Sequence, residues 1–525
     1  MGIPFYFKKL FTVFGKKILS KVNIGATCDN LYLDFNCLIH QCAQATVSAN
    51  PMLTQQEYEP LVIDSVIMGL VNITNVIRPT RTLYVAIDGL CPRAKMVQQR
   101  KRRYMSNWRK MMEKATVEPS WDSNIITPGS RFMKNLDDAI TSFVAINKSK
   151  FKFDIVFSSS NEPGEGEHKI FEIMAANASS DDVIYGLDAD LILLSLIAPN
   201  KDHIRLLRER PEFSSSVPKT IENADYIYLD IGALSTHIAT HFQVPIADYV
   251  MLCTLLGNDF LPPLSYLNIR DEGIEKVIDA YKFLNEPLIG PGPDFALNDI
   301  VLSQILKQLA KNEDTAMALA CSKYYEWTKS HGRPSIDSYP QYTKHTPFID
   351  PQSQPHSWRD NYYSSLFIKG ATQSEISNQY ISAILWVHSY YFARDASKTW
   401  YYPYAYSPLA KDLVKTFDSI TDMESMQKKS RETNDTIYQA LLSNREMQLL
   451  SVLPLSSAPI LSCAGQAVMN EIDKGCLHMY PTGFRVLTFL KTYLWECSPV
   501  LPPIDYNALQ QHLVNQSTRS CVGLA

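Results

Sequence analysis

A chain of 525 residues exceeds one ordinary hydrophobic core, so two or three domains are expected. Hydrophobic content of 46% and charged content of 20% are ordinary globular values, and a net charge of −4 excludes a global basic field. The ten cysteines form no C-x-x-C pair and no zinc-spaced cluster, and no apolar stretch approaches the ~20 residues of a membrane span, so a soluble intracellular protein with reduced thiols and no membrane partner is expected.

Short apolar runs alternate with helical patterns over the first 300 residues. "NLYLDFNCLI" reads as a strand, "PLVIDSVIMGLVNITNVI" as a helix and "TLYVAIDG" as a second strand. Further strands are "FDIVFSSS", "DVIYGLDAD", "HIRLLRE" and "YIYLDI", with a helix at "EHKIFEIMAAN". This alternation predicts an α/β fold with a mostly parallel sheet flanked by helices. Residues 301–359 are a helical and proline-rich connector. Pro334, Pro340, Pro347, Pro351 and Pro355 mark its exposed part, 334–357. Residues 360–525 form a second, mostly helical region, with "SNQYISAILWVHSYYFA" its clearest helix.

Carboxylates gather where these elements end. Asp34 and Asp88 close two predicted strands, and Asp188 and Asp190 close a third, where their spacing points both to one face of an extended chain. Glu165 and Glu167 open the helix of "NEPGEGEHKI", and Asp259 follows a helical run in "LLGNDFLPP". The carboxyl ends of parallel strands line one rim, so the topology could bring all seven together. A lone strand-end Asp is usually a turn or cap residue, but seven at successive element ends are harder to dismiss. Without a cation such a cluster stays partly protonated; with carboxylate and water ligands it suits Mg²⁺ or Mn²⁺, and two ions support phosphodiester cleavage.

The run "RAKMVQQRKRRYMSNWRK", residues 93–110, carries eight basic residues and no acid. A solvated helix face or a nuclear-localisation run would look similar. However, it emerges five residues after Asp88 and interleaves Gln98, Gln99 and Tyr104 with the cations. An acidic, metal-suited rim beside a basic pocket fits a phosphorylated polymer.

Taken together, "MGIPFYF", "LYLDFNCLIH", "AIDGLCPRAKMVQQRKRR", "PGEGEHKI", "GLDADLI", "LLGNDFLP", "WYYPYAYSP" and "QLLSVLPLSS" resemble the XRN-type 5′→3′ exoribonucleases, in order and over essentially the whole chain. The resemblance implies a PIN/5′-nuclease-like sheet with the helical region wrapping it, in a compact form ending with the nuclease core. It implies that Asp34, Asp88, Glu165, Glu167, Asp188, Asp190 and Asp259 are catalytic and hold two Mg²⁺ ions. It further implies a 5′-monophosphate pocket of Lys95, Gln99, Arg102 and Arg103, and His40 and Trp400 as the pair stacking on RNA bases. The same resemblance implies that Lys169 and Arg93 lie close to that site. Three positions depart from the family's pattern: Cys91, Lys398 and Ala405.

The expected activity is processive, Mg²⁺-dependent degradation of 5′-monophosphorylated single-stranded RNA to mononucleotides by a cytoplasmic monomer, with decapping or RNA-decay partners and a nuclear location as the alternative. A flap-type 5′ nuclease and a catalytically silent RNA-binding module are the competing readings.

Overall fold

The computed structural model describes residues 2–113, 121–177, 179–209, 224–292, 294–330, 336–342, 349–432, 436–470 and 476–522. Five parallel strands form the centre of its main sheet: β2 (Ala26–Asp34), β3 (Ile77–Ala86), β4 (Asp154–Ser158), β5 (Asp182–Tyr185) and β6 (Ile204–Glu209). The antiparallel strands β7 (Tyr226–Asp230) and β1 (Leu19–Lys21) extend one edge, giving the order β1-β7-β6-β5-β2-β3-β4. The chain starts the parallel set at β2, moves outward to β3 and β4, then returns to place β5 on the other side of β2. Such a reversal opens a crevice at the carboxyl ends of the strands.

Helices cover both faces. α2 (Asn36–Ala49), α3 (Gln55–Val76) and α5 (Arg131–Asn147) pack on one side around Leu31, Leu33, Val62, Val66, Val85 and Phe132. α3 begins with a capping box in which the Thr54 hydroxyl accepts the Glu57 N–H and the Glu57 carboxylate accepts the Thr54 N–H. By length and composition α3 is apolar enough to cross a membrane, unlike the expectation of no such stretch. Here Tyr58, Val62, Val66, Leu70 and Ile73 are buried against the sheet.

The other face is larger. α1 (Tyr6–Ile18), α6 (Gly166–Ala176), α7 (Ala189–Leu196), α8 (Ile231–Phe242) and α9 (Ile246–Thr254) share one core with the helix Gln373–His388, through Tyr32, Ile184, Ile192, Tyr249, Ile384 and Trp386. The mostly helical second region therefore wraps the sheet. α4 (Arg93–Glu113) leaves the strand rim, and its Met96 packs with Leu90 and Cys91 on the C-terminal helices around Leu449, Met479 and Leu509. Of the proline-rich stretch 334–357, residues 334–335 and 343–348 lie outside the described residues; in the remainder, Pro340, Ile349 and Asp350 are buried, whereas Gln352, Ser353, Pro355 and His356 are exposed.

Two predicted strands are shorter than read. "NLYLDFNCLI" is extended only to Asp34, and its remainder opens α2. "DVIYGLDAD" is extended only to Tyr185; Asp188 stands at the N-terminal boundary of α7 and Asp190 lies in its first turn. The two acids are thus neighbours at a helix start and not on one face of a strand. Gly186 breaks the strand, and the dipole at the α7 N-terminus favours both carboxylates, although Asp188 makes no side-chain capping bond.

Candidate active site

Each acid reaches the rim through a different local device. Asp34 ends the central strand β2. Asp88 follows β3 and accepts the Gly166 N–H at 2.7 Å. Two loops clasp beside it: Gly89 donates to the Gly164 carbonyl and Gly164 to the Leu90 carbonyl, both at 2.9 Å. Gly164 has φ of +108°, a left-handed conformation that favours glycine. At Gly166 the need is space, because a Cβ would lie 3.0 Å from Asp34 Oδ1 and 3.2 Å from the Ala86 carbonyl. The glycines therefore bring the acidic loop against β2 and β3. Lys169 Nζ ties the same loops together by donating to the Ile87 and Ser159 carbonyls at 2.7 and 3.0 Å.

Glu165 stands at the N-terminal boundary of α6 without a side-chain capping bond and Glu167 sits in its first turn, where the helix dipole favours negative charge. Carboxylate oxygens of Glu167, Asp188 and Asp190 lie within 4.8 Å of one another. Lys95, in the first turn of α4, joins the remaining acids: its ammonium lies 2.8 Å from Glu165 and 3.1 Å from Asp259. Repulsion from Asp88 and Asp188 on Asp34 completes the chain linking all seven carboxylates.

Burial and mutual repulsion strain these carboxylates electrostatically. Burial, then repulsion from Asp88 and Asp188, raises Asp34; burial, then repulsion from Asp188 and Asp259, raises Asp190. Burial raises Glu167 well above its ordinary range against the pull of Lys95. Burial alone would lower Lys95, but Glu165 and Asp259 carry it well above its usual value. Asp190 Oδ2 is buried without a hydrogen-bond partner among the described residues. An all-oxygen, buried, partly unsatisfied set with excess negative charge fits a hard divalent cation.

The second region supplies site residues that the sequence reading missed. A π-helical turn, Ser389–Ala393, ends the helix Gln373–His388. Tyr390 donates to Glu165 at 2.8 Å and to Glu167 at 3.2 Å, while Tyr391 donates to Asp190 at 2.5 Å. π-turns recur at functional sites, and this one sends consecutive hydroxyls to different carboxylates. Trp386 stacks on Tyr390 at 5.2 Å, and Trp400 stacks on Trp386 at 5.5 Å. A run of rings thus leads from half-buried Trp400 to the acids.

The basic residues divide. Lys95 belongs to the acid cluster as much as to the phosphate pocket proposed from sequence. Gln99, Arg102 and Arg103 follow it on the same side of α4. Arg103 is buried, donates from Nη2 to Thr127 Oγ1 at 2.8 Å, and leaves Nη1 without a partner. Burial, then the charge of Arg102, lowers its pKa to about 9. Arg102 is exposed and has no ion pair or hydrogen bond among the described residues. His40 is exposed and lies near enough to these arginines to feel their charge. Desolvation, then Arg102 and Arg103, lowers it to about 4, so it is neutral near pH 7. His40 and Trp400 make no ring contact with each other among the described residues. Arg93 lies over the rings of Tyr401 and Tyr506 at 4.5 and 5.0 Å, and its N–H donates to the Lys398 carbonyl at 2.8 Å.

Comparison with known proteins follows the same division. Residues 1–210 match the family described as the XRN 5′-3′ exonuclease N-terminus, and residues 240–312 and 354–519 match the Xrn1 helical domain. A Drosophila melanogaster 5′-3′ exoribonuclease 2 homolog is 25% identical over 93% of this chain and 66% of its own length. Human 5′-3′ exoribonuclease 1 is 27% identical over 92% of this chain and 32% of its own, and Aspergillus fumigatus 5′-3′ exoribonuclease 2 is 31% identical over 55% and 34%. The chain thus spans between a third and two thirds of the length of these relatives. A bacteriophage T5 D15 flap endonuclease structure aligns over 55% of this chain and 92% of that one at 10% identity and a TM-score of 0.23, a likeness on which nothing rests. Matched on both sides of its acidic centre, the chain belongs to the XRN 5′→3′ exonuclease family.

Proposed function

We propose that the protein is a magnesium-dependent, processive exoribonuclease that degrades 5′-monophosphorylated single-stranded RNA from its 5′ end to mononucleotides, in cytoplasmic RNA decay. The observation that carries this reading is the junction at Lys95. The first turn of α4 enters seven clustered carboxylates, and Gln99, Arg102 and Arg103 stand on the next turns of the same helix. Gln99 and Arg103 stand about 6 and about 12 Å along the helix axis from Lys95, so a terminal phosphate held there would lie one to two helical turns from the acids and the adjoining phosphodiester would reach toward them. Such a ruler favours cutting one nucleotide from the end.

Asp34, Asp88, Glu165, Glu167, Asp188, Asp190 and Asp259 would hold two magnesium ions, which supply Lewis-acid charge to the attacking water and the leaving oxygen. Tyr390 and Tyr391 keep three of these carboxylates oriented by donating to them. Their buried rings also keep bulk water away from the acids. The guanidiniums of Arg102 and Arg103 suit a dianionic phosphate, and Lys95 adds its charge from the acid side. Neutral His40 and Trp400 offer ring faces to bases of any identity, as a processive enzyme requires.

The test compares RNAs bearing a 5′-monophosphate, a 5′-triphosphate or a cap, with magnesium, using wild type and an Asp188→Asn/Asp190→Asn variant. Selective decay of the monophosphorylated RNA by wild type alone is expected. Equal decay of all three, or full activity in the variant, sinks the proposal. Preference for flapped DNA would favour a flap-type nuclease, and RNA binding without metal-dependent product a silent binding module.

A further inference from the structure

A cavity of about 720 Å³ lies on the side of α4 next to the phosphate-facing side. Its walls come from α4, the N-terminal segment at Gly2–Phe5, the loop after α9, the Tyr401–Tyr406 segment and the chain near residue 495. It meets the acidic centre at Asp259 and the basic face at Arg102, but Lys95, Gln99, Arg103, His40 and Trp400 do not line it. The volume lies in the ~300–1,000 Å³ range of small-molecule sites.

Its polar groups are unfinished in a consistent way. The Lys101 ammonium has no hydrogen bond or ion pair among the described residues, and desolvation lowers its pKa to about 8. Lys491 lies over the Tyr406 ring at 5.3 Å, and burial lowers its pKa too. The acids in the lining are already engaged: Asp259 with Lys95, and Glu496 with Arg270 at 2.9 Å. Among the described residues, Lys101 and Arg102 therefore face the space without a paired anion, and Lys491 feels Glu496, which Arg270 already holds. Gln98 Oε1 and Asn258 Nδ2 are buried without partners, one an acceptor and one a donor. Phe260, Tyr402 and Trp495 add ring surface. Two ammoniums and a guanidinium suit a phosphate dianion, the amides suit a base edge, and the rings suit a base face.

We infer that this cavity is a nucleoside 5′-monophosphate site, which receives the product released beside Asp259 before it leaves the protein. The identity of the ligand as product rests on the exonuclease reading above; the existence of a nucleotide site does not. Because Arg102 borders both sites, occupancy there would make the mononucleotide an inhibitor that competes with RNA for that guanidinium while leaving Gln99 and Arg103 free.

Binding of AMP to the full chain is measured in EDTA, by quenching of tryptophan fluorescence and by calorimetry, with adenosine and inorganic phosphate as comparison probes. Wild type is compared with Lys101→Met/Lys491→Met, with the milder Lys101→Gln, and with Gln99→Ala/Arg103→Ala. Thermal melting checks that each variant is folded. AMP affinity is expected to fall at least about tenfold in both cavity variants, the loss of one charge-assisted hydrogen bond, and to hold in Gln99→Ala/Arg103→Ala. Equal AMP affinity in wild type and cavity variants overturns the inference. So does loss only in Gln99→Ala/Arg103→Ala, which puts AMP in the 5′-phosphate pocket, or phosphate binding as tight as AMP. Because the measurement needs no cleavage, Lys101-dependent AMP binding by a chain that cuts no RNA would remove the exonuclease reading and keep the site.

Discussion

Replacing Tyr391 with phenylalanine tests whether the second region works in the acidic centre or only packs beside it. Tyr391 is fully buried, and its hydroxyl gives Asp190 Oδ1 a hydrogen bond of 2.5 Å. Asp190 Oδ2 has no partner among the described residues, so the substitution strips the carboxylate of this donor. The ring contact with Tyr390, at 5.3 Å and 81°, survives in phenylalanine. A hydrogen bond to a charged group is worth about 1.5–3 kcal/mol. Mutation of a residue that orients a metal ligand typically costs about 10–100-fold in affinity or activity, which is the same energy expressed as a ratio. The direction follows from protonation. Burial and the neighbouring Asp188 and Asp259 already raise Asp190, and losing a donor to its charged form raises it further. Magnesium must then displace a proton more often, and the penalty grows as pH falls. Titrating magnesium against RNA decay at about pH 8 and about pH 6.5 should show the half-saturating concentration raised about 10–100-fold, more at the lower pH, with saturating magnesium restoring most of the rate. An unchanged magnesium requirement with a lower maximal rate would refute this account, because it would place Tyr391 in packing or in substrate contact.

Gly166→Ala should leave circular dichroism unchanged yet reduce activity by about tenfold or more. The new Cβ would press on Asp34 Oδ1 at 3.0 Å, although alanine is the better helix former; retained activity would show that the loop has slack. Trp400→Ala should weaken RNA binding by about 1–3 kcal/mol with the magnesium requirement unaltered, read by fluorescence anisotropy with the Asp188→Asn/Asp190→Asn variant to prevent decay. Asp34 and Asp190 are raised to about 8 and about 7 in the metal-free protein. Acids whose folded pKa is raised hold extra protons in the folded state, so their contribution to stability is present at low pH and lost as pH rises through those values. Their part in the melting temperature should therefore fall from about pH 4, where the unfolded acids ionise, to about pH 8 and level off above that in EDTA, and magnesium should reverse it; to isolate it, wild type is compared with Asp34→Asn/Asp190→Asn, and parallel pH profiles for the two would count against the shared charge of the cluster.

The acids were legible because strand-end position and residue type coincide: Asp34 and Asp88 follow β-branched and aromatic runs, and a parallel sheet leaves their carboxyl ends on one rim. The local form of Asp188 and Asp190 was not legible, since "LDADLILL" is apolar enough for either a buried strand or a buried helix. Only the Gly186 break and the cap position decide between them. Tyr390 and Tyr391 were hidden for another reason. In "SYYFA" they read as core aromatics, and their partners lie about two hundred positions away in the chain. The pairing of Lys95 with Glu165 and Asp259 was equally beyond reach, because a basic run gives charge but not direction.

That pairing explains why acid and base belong on one helix. Seven clustered carboxylates are costly wherever they are buried, and desolvation makes each neighbour's charge more expensive. The Lys95 ammonium from α4 offsets part of that repulsion. The rest is relieved by phenolic donors from Tyr390 and Tyr391 and by the α6 and α7 N-termini, none of which adds full positive charge. The centre is therefore held together while still short of cations, which is the condition for strong divalent binding. Because these donors come from residues 389–393 and share a core with β5 and α7, the helical region is part of the acidic centre itself. A sheet without it would keep the carboxylates and lose the groups that make their crowding tolerable.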